Sequence, residues 1–121
     1  MPKILIADDM ETVLKLESIL LRRTGCDIIV AKNGSEALKK VQTEKPKVVL
    51  LDVSMPDMNG DVVCQFIKKN EALKNTKVII ITAKGNKDIE ERCRKAGCDY
   101  FMTKPISYTE LLKIVEKYLS E

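Results

Sequence analysis

Three observations place the chain in the α/β class, with a parallel sheet covered by helices on both faces. Short apolar runs alternate with longer amphipathic stretches along the whole length. Three of the runs, Ile4-Leu5-Ile6-Ala7, Val48-Val49-Leu50-Leu51 and Val78-Ile79-Ile80-Ile81, are apolar at consecutive positions rather than alternate ones. A strand that is apolar on both faces is packed on both faces. The connections are short, and no linker, internal repeat or low-complexity stretch interrupts them. Alternation of this kind builds a parallel sheet with right-handed crossovers. The 121 residues fit one domain, since domains run to about 100–200 residues.

The first strand is predicted at Ile4–Ala7, where β-branched residues favour strand over helix in so short a run. It leads directly into Asp8-Asp9 and a helix carrying Met10, Val13, Leu14 and Leu16, some of which must face the sheet. Gly25 follows the basic end of that helix and suits a left-handed stop. A second strand follows at Ile28–Ala31. Asn33-Gly34 has the composition of a hairpin turn, but the stretch Glu36–Gln42 is helical in composition, so the pair leads into a helix. The third strand is Val48–Leu51. In the helix after it, Val63, Phe66, Ile67 and Asn70 recur at i, i+3, i+4 and i+7, with Lys68 and Lys69 turned to solvent. The fourth strand is Val78–Ile81. A charged helix follows, its apolar line being Ile89, Cys93 and Ala96, and Gly97 provides a second stop. A short fifth strand, Tyr100–Met102, precedes a helix that opens at Ser107. There Ser107-Tyr108-Thr109-Glu110 reads as a capping box, and Leu111, Ile114, Val115 and Tyr118 form the buried stripe.

Composition removes several classes of function. Lys+Arg 21 against Asp+Glu 18 gives a net charge of +3, too small a balance to imply nucleic acid or an anionic membrane. The Lys39-Lys40, Lys68-Lys69 and Lys45/Lys47 groups have acidic neighbours and read as solvated helix ends and loops. Trp is absent and aromatics are 4%, against a stacking platform for single strands. His is absent, which excludes an imidazole base, a His metal ligand or a phosphohistidine on this chain. Cys26, Cys64, Cys93 and Cys98 include no CxxC pair, so neither zinc nor a disulfide framework is expected. No signal peptide precedes the first strand, and no apolar run approaches the ~20 residues needed to span a bilayer. The expectation is a cytoplasmic protein with reduced, mostly buried thiols.

Ligands of open parallel sheets sit beyond the carboxyl ends of the strands, so the polar residues there decide the chemistry. Strand one ends in Asp8-Asp9, strand three in Asp52, strand four in Thr82, and strand five runs into Lys104-Pro105. Taken singly, an Asp after a strand is a cap or turn residue, a Thr is a strand residue and a Lys is solvated. Together they bring three carboxylates, a hydroxyl and an ammonium to one rim. Clustered carboxylates repel and need compensating positive charge. A hard cation with oxygen ligands, Mg²⁺ with Mn²⁺ as its substitute, suits carboxylates without His or Cys. Such a set is equipped to receive a phosphoryl group on a carboxylate.

These residues resemble the receiver domain of bacterial two-component response regulators, over essentially the whole chain. The stretch Asp52-Val53-Ser54-Met55-Pro56-Asp57-Met58-Asn59-Gly60 is similar to the family's phosphoacceptor loop. The stretch from Ala96 to Lys104-Pro105 also resembles the family's. The resemblance implies a flavodoxin-like (βα)5 fold with strand order 2-1-3-4-5, spanning residues 1–121 with no output domain. It implies Asp52 as phosphoacceptor; Asp9, Asp52, the Ser54 carbonyl and, through water, Asp8 as Mg²⁺ ligands; Thr82 and Lys104 as phosphate partners; and a cis peptide before Pro105. Ala83 is small, which leaves access to the phosphoryl group. Phe101 stands where the family's switch aromatic packs, and is expected to swing inward as Thr82 is drawn to the phosphate, reshaping the α4-β5-α5 face. Ser54 and Lys84 are the positions expected to set phosphate lifetime.

The partners so implied are a sensor histidine kinase or histidine phosphotransfer protein and a downstream protein target, with no direct nucleic acid and no membrane insertion. The chain is expected to be a monomer or a weak phosphorylation-dependent dimer, supporting its own Mg²⁺-dependent phosphotransfer and autodephosphorylation rather than acting as an enzyme. Two rivals fit less well. A pseudo-receiver that is never phosphorylated loses the acidic pair, the acceptor or the lysine, and all are retained. An Asp-nucleophile phosphatase needs a second acid two residues after the nucleophile, where this chain has Ser54.

Overall fold

The computed structural model describes residues 2–83 and 85–121. Five strands, β1 (Lys3–Ala7), β2 (Asp27–Ala31), β3 (Val48–Asp52), β4 (Lys77–Thr82) and β5 (Tyr100–Thr103), form one sheet in the order β2-β1-β3-β4-β5. All four neighbouring pairs are parallel. The helices are α1 (Glu11–Leu21), α2 (Gly34–Glu44), α3 (Gly60–Lys69), α4 (Lys87–Lys95) and α5 (Tyr108–Leu119). This is the flavodoxin-like arrangement, its switch point lying between β1 and β3.

The consecutive apolar runs have the physical cause assigned to them. Side chains alternate across a strand, so Ile4 and Ile6 enter one core and Leu5 and Ala7 the other. The first core adds Val48, Leu50, Ile79 and Ile81 and is closed by Leu14 and Leu21 of α1 and Leu111, Val115 and Tyr118 of α5. The second adds Val49, Leu51, Val78 and Ile80 and is closed by Ala37 and Val41 of α2, Val63, Cys64 and Ile67 of α3 and Cys93 of α4. Burial pushes the Cys64 thiol up to about 12 and the Cys93 thiol to about 11, so both stay protonated packing groups.

The helix boundaries follow local signals. The Asn33 side chain accepts from the Glu36 amide, making Asn33 the N-cap of α2 instead of a hairpin residue. Ser107 caps α5 through the Glu110 amide. Gly25 and Gly97 both adopt positive φ, at 81° and 97°. Of the apolar group in α1, Leu14 is buried against the sheet and Val13 is half-buried, as expected of some of its members, while Met10 and Leu16 are exposed. Two expectations need correction. Asn70 lies beyond α3, where its side chain caps a 3-10 turn, and Phe66 is a surface residue. The lysines read as solvated are partly engaged: Lys40 donates to Val30 O, Lys47 to Leu119 O and Lys68 to Thr76 O.

Candidate phosphoacceptor site

The sheet register assembles the site. Ala7 pairs with Leu51, so one step further along the ladder sets Asp8 beside Asp52. Thr82 pairs with Thr103, and the Lys104 amide donates to the Thr82 carbonyl at 2.8 Å, so Lys104 enters from the far side of β4. Rigid strands thus fix Asp8, Asp52, Thr82 and Lys104 without help from any long loop. The Lys104–Pro105 peptide is cis.

Asp8 and Asp52 are buried, Thr82 is fully buried, and Asp9 is exposed. One oxygen from each of Asp8, Asp9 and Asp52 lies within 4.8 Å of the others. Lys104 Nζ is 3.1 Å from Asp8 Oδ2 and 3.8 Å from Asp52 Oδ2. The Ser54 amide donates to Asp52 Oδ1 at 3.3 Å, and the Met10 amide to Asp8 Oδ1 at 2.9 Å. Ser54 itself is exposed, as are Ala83 and Pro105, and Phe101 is half-buried in β5 opposite Ile80. Lys84 lies outside the described residues.

The electrostatics are those of an excess of negative charge. Burial holds the Asp52 carboxyl above its usual range; Asp8 and Asp9 reinforce this, while Lys104 and the Ser54 amide oppose it. Burial by itself pulls the Lys104 ammonium down, yet Asp52, the Asp8 hydrogen bond and Glu17 leave it above its usual value. Among the described residues, Lys104 therefore serves several carboxylates. All the converging ligand atoms are carboxylate oxygens, the donor set that suits a hard divalent cation, and such a cation would relieve the repulsion.

Glu17 is a site residue that the sequence reading missed. It lies in α1, is 3% exposed, and forms no hydrogen bond among the described residues. Burial, with Asp8 and Asp52 adding to it and Lys104 opposing, pushes its carboxyl up to about 7. A signal was present: Leu14, Glu17, Ser18 and Leu21 follow the i, i+3, i+4, i+7 spacing of a sheet-facing stripe.

Comparison with known proteins agrees with this fold. Residues 4–116 match the family described as Response regulator receiver domain. The chain is 34% identical over 117 residues to Protein PilG of Pseudomonas aeruginosa, covering 97% of this chain and 87% of that protein. It is also 34% identical over 122 residues to the polar-differentiation response regulator DivK of Brucella anthropi, covering 100% and 99%. The signal receiver domain of a DNA binding response regulator protein (merR) from Colwellia psychrerythraea superimposes with a TM-score of 0.93 at 28% identity, covering 100% of both chains.

Proposed function

The chain belongs to the response regulator receiver family of two-component signalling, and from that premise we propose that Asp52 accepts a phosphoryl group from a phosphohistidine lying outside these 121 residues. The carrying observation is the convergence of Asp8, Asp9 and Asp52 with Lys104 on one rim. The chain holds no His, so a histidine kinase or phosphotransfer protein supplies the donor. An Asp52 oxygen attacks phosphorus, the P–N bond of the donor imidazole breaks, and its electron pair leaves on nitrogen. Lys104, near both buried carboxylates, moves to the phosphoryl oxygens as charge spreads over them in the transition state. Thr82, ending β4, donates its hydroxyl to one of those oxygens, and the small Ala83 leaves them room.

Mg²⁺ held by Asp8, Asp9, Asp52 and the Ser54 carbonyl, or Mn²⁺ in its place, supplies charge neutralisation and orientation when bound. Hydrolysis uses the same geometry with a different nucleophile: water attacks phosphorus, the P–O bond to Asp52 breaks with its electron pair returning to the carboxylate, and inorganic phosphate leaves. Ser54 stands beside that line of attack and affects the lifetime. Output follows from Thr82 being drawn toward the phosphate, with half-buried Phe101 turning into the vacated space to change the α4-β5-α5 face that a protein target reads. No described helix is long and apolar enough to cross a membrane.

Intact-mass measurement with acetyl phosphate tests the reading. Wild type should gain one phosphoryl group with Mg²⁺ and none with EDTA, while Asp52→Asn gains none. Equal modification of both proteins, or of neither, overturns it.

A further inference from the structure

The seven-residue loop between Asp52 and α3 begins at the acceptor and includes the Ser54 carbonyl. Its two ends are fixed from below. Val53 and Met55 are buried in the core, and the Gly60 amide donates to the Val53 carbonyl at 3.0 Å. Its outer half has a different anchor, 22 and 23 residues back along the chain. Asp57 Oδ1 accepts from the Gly34 amide at 2.9 Å, and Oδ2 accepts from the Ser35 amide at 3.2 Å. Those are the first two amides of α2, and the Asn33 side chain takes the third, that of Glu36. The opening amides of the helix are thus satisfied, two of them by the acceptor loop. The two backbones also touch: a Cβ on Gly34 would come within 2.5 Å of both Met58 Cβ and the Met58 carbonyl oxygen. Gly34 is required by that approach. The hydrogen bonds with Ser35, side chain and amide, and with the Gly34 amide hold the Asp57 carboxyl below its usual value.

We infer that Asp57 is a positioning residue: it clamps the acceptor loop to the first turn of α2 and so sets where Ser54 presents its carbonyl to a cation beside Asp52. The inference rests on the reading of Asp52 as phosphoacceptor and adds α2 to the elements that build the site. Outer supports of metal ligands work in this way, fixing the ligand without touching the ion.

The test uses two variants on opposite sides of the contact. Asp57→Ala removes the acceptor; Gly34→Ala leaves Asp57 intact but wedges the loop off α2, in a helix that tolerates Ala better than Gly. The probe is Mn²⁺, titrated by electron paramagnetic resonance. Each variant should bind it about tenfold more weakly than wild type, and the double variant little more weakly than either, since both break one contact. Asp57→Asn, which keeps a carbonyl acceptor, should recover most of the affinity. With acetyl phosphate, the Mg²⁺ concentration for half-maximal rate should rise while the rate at saturating Mg²⁺ stays within about twofold, a split that general loss of fold would not produce. Wild-type Mn²⁺ affinity in Asp57→Ala and Gly34→Ala overturns the inference, as does simple additivity in the double variant. Should Asp57→Ala fail to fold, Gly34→Ala and Asp57→Asn decide the matter. Absence of phosphorylation in wild type would strike the proposed function instead, since the Mn²⁺ measurement does not depend on it.

Discussion

The two rims of the sheet treat charge in opposite ways. At the carboxyl rim Asp8, Asp9, Asp52 and nearby Glu17 share Lys104, and burial raises both Asp52 and Glu17. At the amino rim each engaged lysine has its own counter-group. Lys3 pairs with Glu44 at 2.7 Å, Lys77 with Glu121 at 3.4 Å, and Lys68 with Asp99 at 2.7 Å, while Lys47 donates to the Leu119 carbonyl. The same strands support both ends. Apolar packing on both faces of β1, β3 and β4 is what allows one end to hold like charges together, and that end carries the chemistry. Repulsion at one rim and pairing at the other give opposite expectations for any change of charge.

Glu17 should show the largest effect on stability. Its carboxyl ionises at about 7 in the folded protein against an ordinary 4.5. Between those values the folded state binds more protons than the unfolded one, so stability falls as pH rises through the interval, by about 3 kcal/mol. Glu17→Gln removes the penalty. In EDTA the variant should exceed wild type by about that amount at pH 8 and by little at pH 4.5. Urea denaturation at the two pH values reads this directly. A variant less stable than wild type at pH 8 would mean that Glu17 is paired at the rim rather than tolerated there.

The contrast between the rims also marks what could be read from sequence. Strands covered on both faces show as unbroken apolar runs, and helix caps are local, so the element order and the Asn33 and Ser107 boundaries were legible. So were Asp8, Asp9, Asp52, Thr82 and Lys104, because a strand end is a position that sequence marks. Pairings made across the fold were not. Nothing beside Lys68 announces that α3 will lay it against Asp99, and nothing beside Asp57 announces the start of α2. Glu17 was hidden differently: its spacing matched the buried stripe, but its charge argued for solvent, and packing overrode charge.

At the amino rim the expected sign reverses. Lys68 Nζ reaches both Asp99 Oδ2 and the Thr76 carbonyl, and Asp99 Oδ2 also accepts from the Val78 amide at 2.8 Å. The side chains are mostly buried, 19% and 23% exposed. Lys68→Ala leaves Asp99 without its cation and the Thr76 carbonyl without this donor, and should cost about 1–3 kcal/mol. Thermal unfolding checks it. A neutral outcome would show that water replaces the ammonium at no cost.

The smallest effect belongs to Lys3, whose pair with Glu44 is 37% and 40% exposed. Lys3→Ala should lower stability by no more than about 1 kcal/mol, because an exposed pair gains little over its hydrated partners. Even so small a term separates the two rims when salt is varied. Screening acts on exposed charges far more than on buried ones. Raising NaCl should therefore shrink the difference between Lys3→Ala and wild type, while the advantage of Glu17→Gln at pH 8 stays largely intact, because burial is its main cause. An advantage that shrank in step with the Lys3 pair would mean that screened repulsion from Asp8 and Asp52, rather than burial, sets the Glu17 carboxyl.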